Sequence, residues 1–406
     1  MKNKRKIKYI VLVPDGMADY PLEELGQRTP LEVARTPNMD SLVQKGRIGL
    51  SSFVPEGLTP GSDVANLAIF GYDPQKFYSG RASLEAANLG IDVKDDQIAF
   101  RCNFITEENN LLSDYSAGHI TTKEAHVLIK VLNKYLANDQ LRFYPGVSYR
   151  HLMVIYNPGK EFLKLKCIPP HDIIGKKISQ YLPKGKGKEE ILEIMIKSQE
   201  ILKNHEINQV RVDLKENPAN MIWLWGQGKK VALPSFKTRF NLEGSVISAV
   251  DLIKGIACSI GLEPVNVPGA TGYYDTNYEA KAEYAIKELH NKDFVFVHVE
   301  APDEAGHNGD TREKIKAIEN FDRYIVSRVL QEAENMPNIR ILICPDHPTP
   351  IALKTHTADP VCFLMYGQGI CADSAQVFNE KEAKQSSFIF SNGFELMETF
   401  INKIEI

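Results

Sequence analysis

Asp346 and His347 stand side by side directly after an apolar run, Ile341 to Cys344, and a single proline. His356 follows a short way downstream. Two other places in the chain offer similar groups: Asp15 comes after the apolar run 7–13, and Asp303 and His307 stand four residues apart after the run 293–299. A carboxylate and an imidazole at that spacing can reach one ion from a helical turn or a tight loop. Mixed carboxylate and imidazole donors suit Zn or Mn, and Mg where carboxylates and water dominate. Two such ions about 4 Å apart would clamp a phosphoryl group for in-line transfer, one activating the attacking oxygen and the other offsetting charge. An attacking oxygen is on offer at Ser62, in Gly61-Ser62-Asp63. A serine hydroxyl is a weak nucleophile until a base or a metal activates it, and a helix N-terminus would help modestly.

Each of these residues also has a plainer reading. A lone aspartate after a strand is most often a turn former or a helix cap, and Ser62 taken alone reads as an N-cap. Asp63, Asp73 and Asp92 sit in turn-like contexts, and Asp310 reads as the cap of a helix beginning at Thr311. As ligands, His119, His126, His151, His171, His205, His290 and His298 lack a defensible spacing. The recurrence of acid and acid–histidine groups at strand ends is what favours the chemical reading. No G-x-x-x-x-G-K-[ST] sequence is present, and Gly226-Gln227-Gly228-Lys229 is only a fragment of one, which argues against kinase chemistry of the P-loop kind.

The elements that must carry these residues alternate. Runs 7–13, 221–225, 293–299, 341–344 and 361–366 read as strands. Helices are expected from Thr36-Pro37, from Ser62-Asp63, through Val246, Ile247, Val250, Ile253 and Ala257 to a stop at Gly261, and over 311–334. The pattern predicts an α/β fold with a mostly parallel sheet covered by helices on both faces, and ligands gather beyond the carboxyl ends of such strands. From 103 to 218 the character changes. Lysines crowd 184–188, apolar alternation appears at 152–156, and 189–203 reads as an amphipathic helix. This stretch is expected to be an inserted smaller α+β domain, with 1–102 and 219–406 as the metal-binding core, a division that suits a chain of 406 residues.

Charged residues make up 25%, hydrophobic residues 43%, and the net charge is -4. That is the composition of an ordinary globular protein, without the basic footprint of a nucleic-acid binder. No apolar run approaches the roughly 20 residues that span a bilayer. The basic start, Met1 to Lys6, leads into only a short apolar run that ends at Pro14-Asp15 without a small-residue cleavage site, so a signal peptide is not expected. Six cysteines without CxxC spacing read as reduced thiols of a cytoplasmic protein. An oligomer is compatible with all of this.

In Val13-Pro14-Asp15-Gly16, Thr36-Pro37-Asn38-Met39-Asp40, the stretch from Pro60 to Pro74, Pro268-Gly269-Ala270-Thr271-Gly272, Asp303 to His307, Asp346-His347 and His356, the chain resembles the cofactor-independent phosphoglycerate mutases of the archaeal type. These belong to the alkaline phosphatase superfamily and include proposed homoserine kinase-like relatives. The resemblance implies an alkaline-phosphatase-like core, an insertion that closes over the substrate and excludes water, and a phosphoserine formed at Ser62. It implies that Asp15, Ser62, Asp346 and His347 hold one divalent ion and that Asp303, His307 and His356 hold the other, the ions being Mn, Mg or Zn, with no organic cofactor. The reaction implied is the interconversion of 2- and 3-phosphoglycerate, small phosphorylated metabolites of glycolysis and gluconeogenesis. One position departs from the family's pattern: the arginine that usually follows the aspartate matching Asp114 is Tyr115 here. Arg81, Asp114, Arg150, His151 and Arg239 are the candidates for reading the substrate. The departure leaves room for transfer of phosphate from ATP to homoserine, in threonine biosynthesis. A phosphatase and a non-catalytic metal-binding protein are the remaining alternatives.

Overall fold

The computed structural model describes residues 6–403, so Met1 to Arg5 of the basic start lie outside the described residues. Apolar, β-branched runs form its strands. In chain order they are β1 (Lys8–Pro14), β2 (Arg47–Ser51), β3 (Gln97–Glu108), β4 (Leu111–Asp114), β5 (Leu141–Val147), β6 (Arg150–Tyr156), β7 (Met221–Gly228), β8 (Gly244–Ile247), β9 (Glu263–Val265), β10 (Phe294–Val299), β11 (Ile339–Ile343), β12 (Val361–Gly367) and β13 (Ile389–Phe390). The larger, 8-stranded sheet has the order β13-β2-β12-β11-β1-β10-β8-β9. Its centre is parallel: β1 lies between β11 and β10, and β8 and β9 continue the same sense. β12 runs antiparallel to both β11 and β2. The fold is therefore the expected mixed α/β type with a parallel-rich sheet.

The register of this sheet positions the site. Val13 pairs with His298, Pro14 with Val299 and Leu12 with Ile343. The three strands thus end together, and the residues that follow them, Asp15, Glu300 and Asp346, emerge along one edge. Ile10, Leu12, Val295, Val297, Ile341 and Ile343 anchor that edge in a core completed by the flanking helices.

The chain divides into two compact units, 1–78 with 233–406 and 79–232. The second is built on a 5-stranded antiparallel sheet in which β3 lies between β6 and β7. Phe100, Phe104, Leu128, Met195 and Trp223 fill its core. The expected insertion, 103–218, lies inside this unit. β3 cannot be divided at residue 102, because Gln97 to Asn103 already pair with β6. The helix Arg81–Asn88 belongs here too, with Ala82 and Ala86 packed against Ala99 and Leu152.

Most helices follow the sequence pattern. The expected 189–203 helix spans Lys188–Leu202. The expected 311–334 helix runs from Thr311 to Asn335 through a π-helical turn at Phe321–Val326, and Asp310 caps it by accepting from Glu313 N. One reading is corrected. Val246 and Ile247 belong not to a helix but to the buried strand β8, paired with β10, and the helix begins only at Asp251. A short apolar run fits either state, and here pairing with β10 decides it. Gly261 does follow that helix, at φ +75°.

Candidate metal centre

All seven expected ligand residues lie in the unit made of 1–78 and 233–406. Asp15 leaves β1 with its backbone N–H on Val299 O at 2.9 Å. The next residue, Gly16, has φ +61°, and a Cβ there would lie 2.5 Å from Asp303 Oδ1. Only glycine lets this turn approach the carboxylate so closely. Gly16 N donates to Asp346 Oδ1 at 3.1 Å, joining the ends of β1 and β11. Straight after β10 the helix Ala301–Asn308 begins, with a proline in its first turn. Its pitch puts Asp303 and His307 on one face, with His307 Nε2 3.2 Å from Asp303 Oδ2. The loop after β11 returns His356 to the same carboxylate, 3.4 Å from Asp303 Oδ1.

Ser62 is the first residue of the helix Ser62–Ile69, whose N-cap is Gly61, so the serine is inside the helix and not its cap. Its Oγ lies 3.2 Å from His347 Nε2. The same nitrogen is 3.6 Å from Asp15 Oδ1 and 3.5 Å from Asp346 Oδ2. On the other side, His307 Nε2 and His356 Nε2 stand 2.8 Å apart, both facing Asp303. Among the described residues, Asp303, His347 and His356 form one set of potential donors and Asp15, His298 and Asp346 another, each with its donor atoms within 4.8 Å of one another.

The electrostatics fit cations. Asp15 is buried, and burial together with the neighbouring Asp346 pushes its carboxyl well above the usual range. Asp15 Oδ1 has no hydrogen-bond partner. Burial also opposes the charge on Asp303, yet His356 and His307 outweigh it and hold that carboxyl well below its usual range. Burial works against the charge on His307 too, but Asp303 wins and raises it to about 9. Burial lowers His347 to about 4, leaving a neutral ring with a lone pair to give. Crowded buried carboxylates, facing imidazole nitrogens and an orphaned oxygen form a donor set suited to divalent ions with N/O preference.

Several residues at this site were invisible to spacing. Asn66 Nδ2 donates to Asp346 Oδ2 at 2.8 Å and to Ser62 O at 2.9 Å, tying the serine's turn to the centre. Thr349 Oγ1 donates to Asp303 Oδ1 and stands 3.3 Å from His347 Nδ1. His298, for which sequence offered no ligand spacing, faces Asp15 from inside β10. The available signal was polarity: His298 and Glu300 interrupt an otherwise apolar buried run.

Of the substrate-facing candidates, Arg239 lies in the first unit, and Arg81, Asp114, Arg150 and His151 lie in the second. Arg239 spreads over Tyr72 and Phe240 and stands 3.9 Å from Glu398. Asp114 is occupied by a turn, accepting from Ser116 N, Ser116 Oγ, Gly118 N and Asn217 Nδ2. His151 is buried, accepts from Gly146 N at 2.9 Å, and is lowered by burial to about 3, so it is neutral. Arg81 and Arg150 do share surroundings in the second unit. Glu85 accepts from Arg81 at 3.0 Å and from Arg101 at 2.8 Å, and Arg150 also acts on its charge. Trp225 lies under Arg81 and Arg101, and Tyr149 under Arg150. Tyr115, at the departing position, packs edge-on against Tyr149 and His171.

Residues 43–208 match the family model described as 2,3-bisphosphoglycerate-independent phosphoglycerate mutase. A protein of that description from Methanosarcina acetivorans is 52% identical over 384 residues, covering 94% of this chain and 96% of its own length. The solved structure of a Pyrococcus horikoshii protein is 31% identical, with a TM-score of 0.81 over 98% of this chain and 97% of that one. The cofactor-independent phosphoglycerate mutase from Thermoplasma acidophilum shares the fold at 24% identity, with a TM-score of 0.64 over 98% of this chain and all of that one.

Proposed function

The chain belongs to the 2,3-bisphosphoglycerate-independent phosphoglycerate mutase family, and on that premise we propose that it interconverts 2- and 3-phosphoglycerate by passing the phosphoryl group through Ser62. The observation that carries this reading is the position of Ser62 Oγ, 3.2 Å from His347 Nε2 at the start of a helix and beside the buried acids. Asp15, Ser62, Asp346 and His347 are assigned to one divalent cation, and Asp303, His307 and His356 to the other. Bound there, the cations would make the serine hydroxyl easier to deprotonate and offset the charge of the phosphoryl group.

The protein's own groups do the rest. Ser62 Oγ forms a bond to phosphorus as the bond from phosphorus to the glycerate oxygen breaks, and that oxygen leaves with the proton the serine gave up. The other glycerate hydroxyl then takes the phosphoryl group and returns its proton to Ser62. Asn66 holds the serine's turn against Asp346, so the nucleophile needs little reorganisation. The N-terminal end of the helix, where Ser62 stands, favours the anion. The second unit is proposed to read the substrate's acid groups, through Arg81 and Arg150. Guanidinium forks suit a phosphorylated acid better than the zwitterion homoserine.

The test uses purified full-length protein with Mn or Mg. Interconversion of the two phosphoglycerates should require Ser62, so Ser62→Ala should show no turnover above background while still binding metal. Full activity in that variant, or phosphorylation of homoserine from ATP in place of interconversion, would overturn the reading.

A further inference from the structure

Behind Asp15, on the side away from Ser62, lies a buried chain of charged groups that the proposed chemistry does not use. Lys281, with no solvent exposure, donates to Glu300 Oε2 at 2.8 Å and to the backbone oxygen of His298 at 2.9 Å. Glu300 Oε1 accepts from Ser248 Oγ at 2.9 Å and from Ala249 N at 3.0 Å. The same oxygen stands 3.3 Å from His298 Nδ1, and His298 Nε2 stands 3.4 Å from Asp15 Oδ2. His298 is fully buried and neither ring nitrogen has a closer partner.

The two oxygens of Asp15 therefore face opposite ways. Oδ1 has no hydrogen-bond partner and faces His347 Nε2, the nitrogen beside Ser62, while Oδ2 faces His298. A carboxylate that must present one oxygen to a cation needs its other oxygen held, or it loses orientation. We propose that His298 is a positioning residue for Asp15, anchored in turn by Glu300 and Lys281, and that it sets the affinity of the ion held by Asp15 without touching that ion. The inference rests on the assignment of Asp15 as a metal ligand made above. Direct ligation by His298 is the competing role, since its donor atom lies within 4.8 Å of donors on Asp15 and Asp346; Ser62 Oγ, Asp15 Oδ1 and Asp346 Oδ2, by contrast, stand within 3.2–3.6 Å of His347 Nε2.

The experiment titrates Mn2+ into metal-stripped, full-length protein by calorimetry, for wild type, His298→Ala, His298→Gln and Asp15→Asn. In His298→Ala two ions should still bind at saturation, one of them about 10- to 100-fold more weakly and the other unchanged. His298→Gln, whose amide nitrogen can reach Asp15 Oδ2, should recover part of the lost affinity, and it also serves should the alanine variant fail to fold. Unchanged affinities, equal weakening of both ions, or loss of one ion at saturation would each overturn the proposal, the last by making His298 a direct ligand. Asp15→Asn separates the two levels. If it loses or weakens one ion while the His298 variants lose nothing, only this inference fails. If it binds both ions as tightly as wild type, the assignment of Asp15 fails and takes the inference with it.

Discussion

Glu380 illustrates what a single residue away from the metal centre does to the protein's behaviour. It is buried, accepts from Thr29 Oγ1 at 2.7 Å and from Asp19 N at 3.3 Å, and burial pushes its carboxyl up to about 7. The folded state thus holds this proton more tightly than the unfolded chain, whose value is 4.5. Stability from this group is fully present below that unfolded value and is lost as pH rises through about 7. Glu380→Gln mimics the protonated form and removes the dependence. Between pH 4 and pH 8 its unfolding free energy should therefore gain about 2–3 kcal/mol on that of wild type; parallel pH profiles in a urea titration would count against the assignment. At the same scale, Asp303 and Asp346 were legible as chemistry because acid and acid–histidine groups recur after apolar runs, and Ser62 because a hydroxyl at a helix start offered them a nucleophile. Lys281 and Glu300 were not, because a lysine and a glutamate in sequence look like a solvated surface until burial and a 2.8 Å separation join them.

The helix Ala301–Asn308 and the loop from Pro345 to Thr357 act as one element pair, since between them they carry Asp303, His307, His347 and His356. Gly306 lets them approach: a Cβ there would collide with Thr349 O and lie 2.8 Å from Thr349 Cγ2. Alanine is the better helix former by about 1 kcal/mol, but relief of the clash must push the loop away at about 1–3 kcal/mol. Gly306→Ala should therefore lower the denaturation midpoint and weaken Mn2+ binding together, because Thr349 is the group that holds Asp303 from behind. An unchanged midpoint and unchanged affinity would show that the contact yields freely. The spacing of Asp303 and His307 was readable because it is local to one helical turn. The short strand β8 was misread because periodicity over a few residues cannot separate a strand from a helix when the partner strand is far away in sequence.

For the whole molecule, the seven assigned ligand residues lie within one of the two units, and that has a measurable consequence. Mn2+ without substrate should slow backbone hydrogen exchange in the helix Ala301–Asn308, in 345–357 and at the start of the helix Ser62–Ile69, and leave β5 and β6 of the second unit as they were. At an Mn2+ concentration a hundred times its dissociation constant the gain would be about 2.7 kcal/mol per ion, reversed by a chelator. Protection spread evenly over both units would contradict it. By itself the sequence determined the α/β class, the acids and imidazoles at strand ends and the candidate nucleophile, because these are properties of residue type and short-range spacing. Only the tertiary structure decided which of them meet. Val13 opposite His298 and Leu12 opposite Ile343 are matters of strand register. Register, set by pairing between segments hundreds of residues apart, brings Asp15, Glu300 and Asp346 to one edge and puts His298 behind a carboxylate.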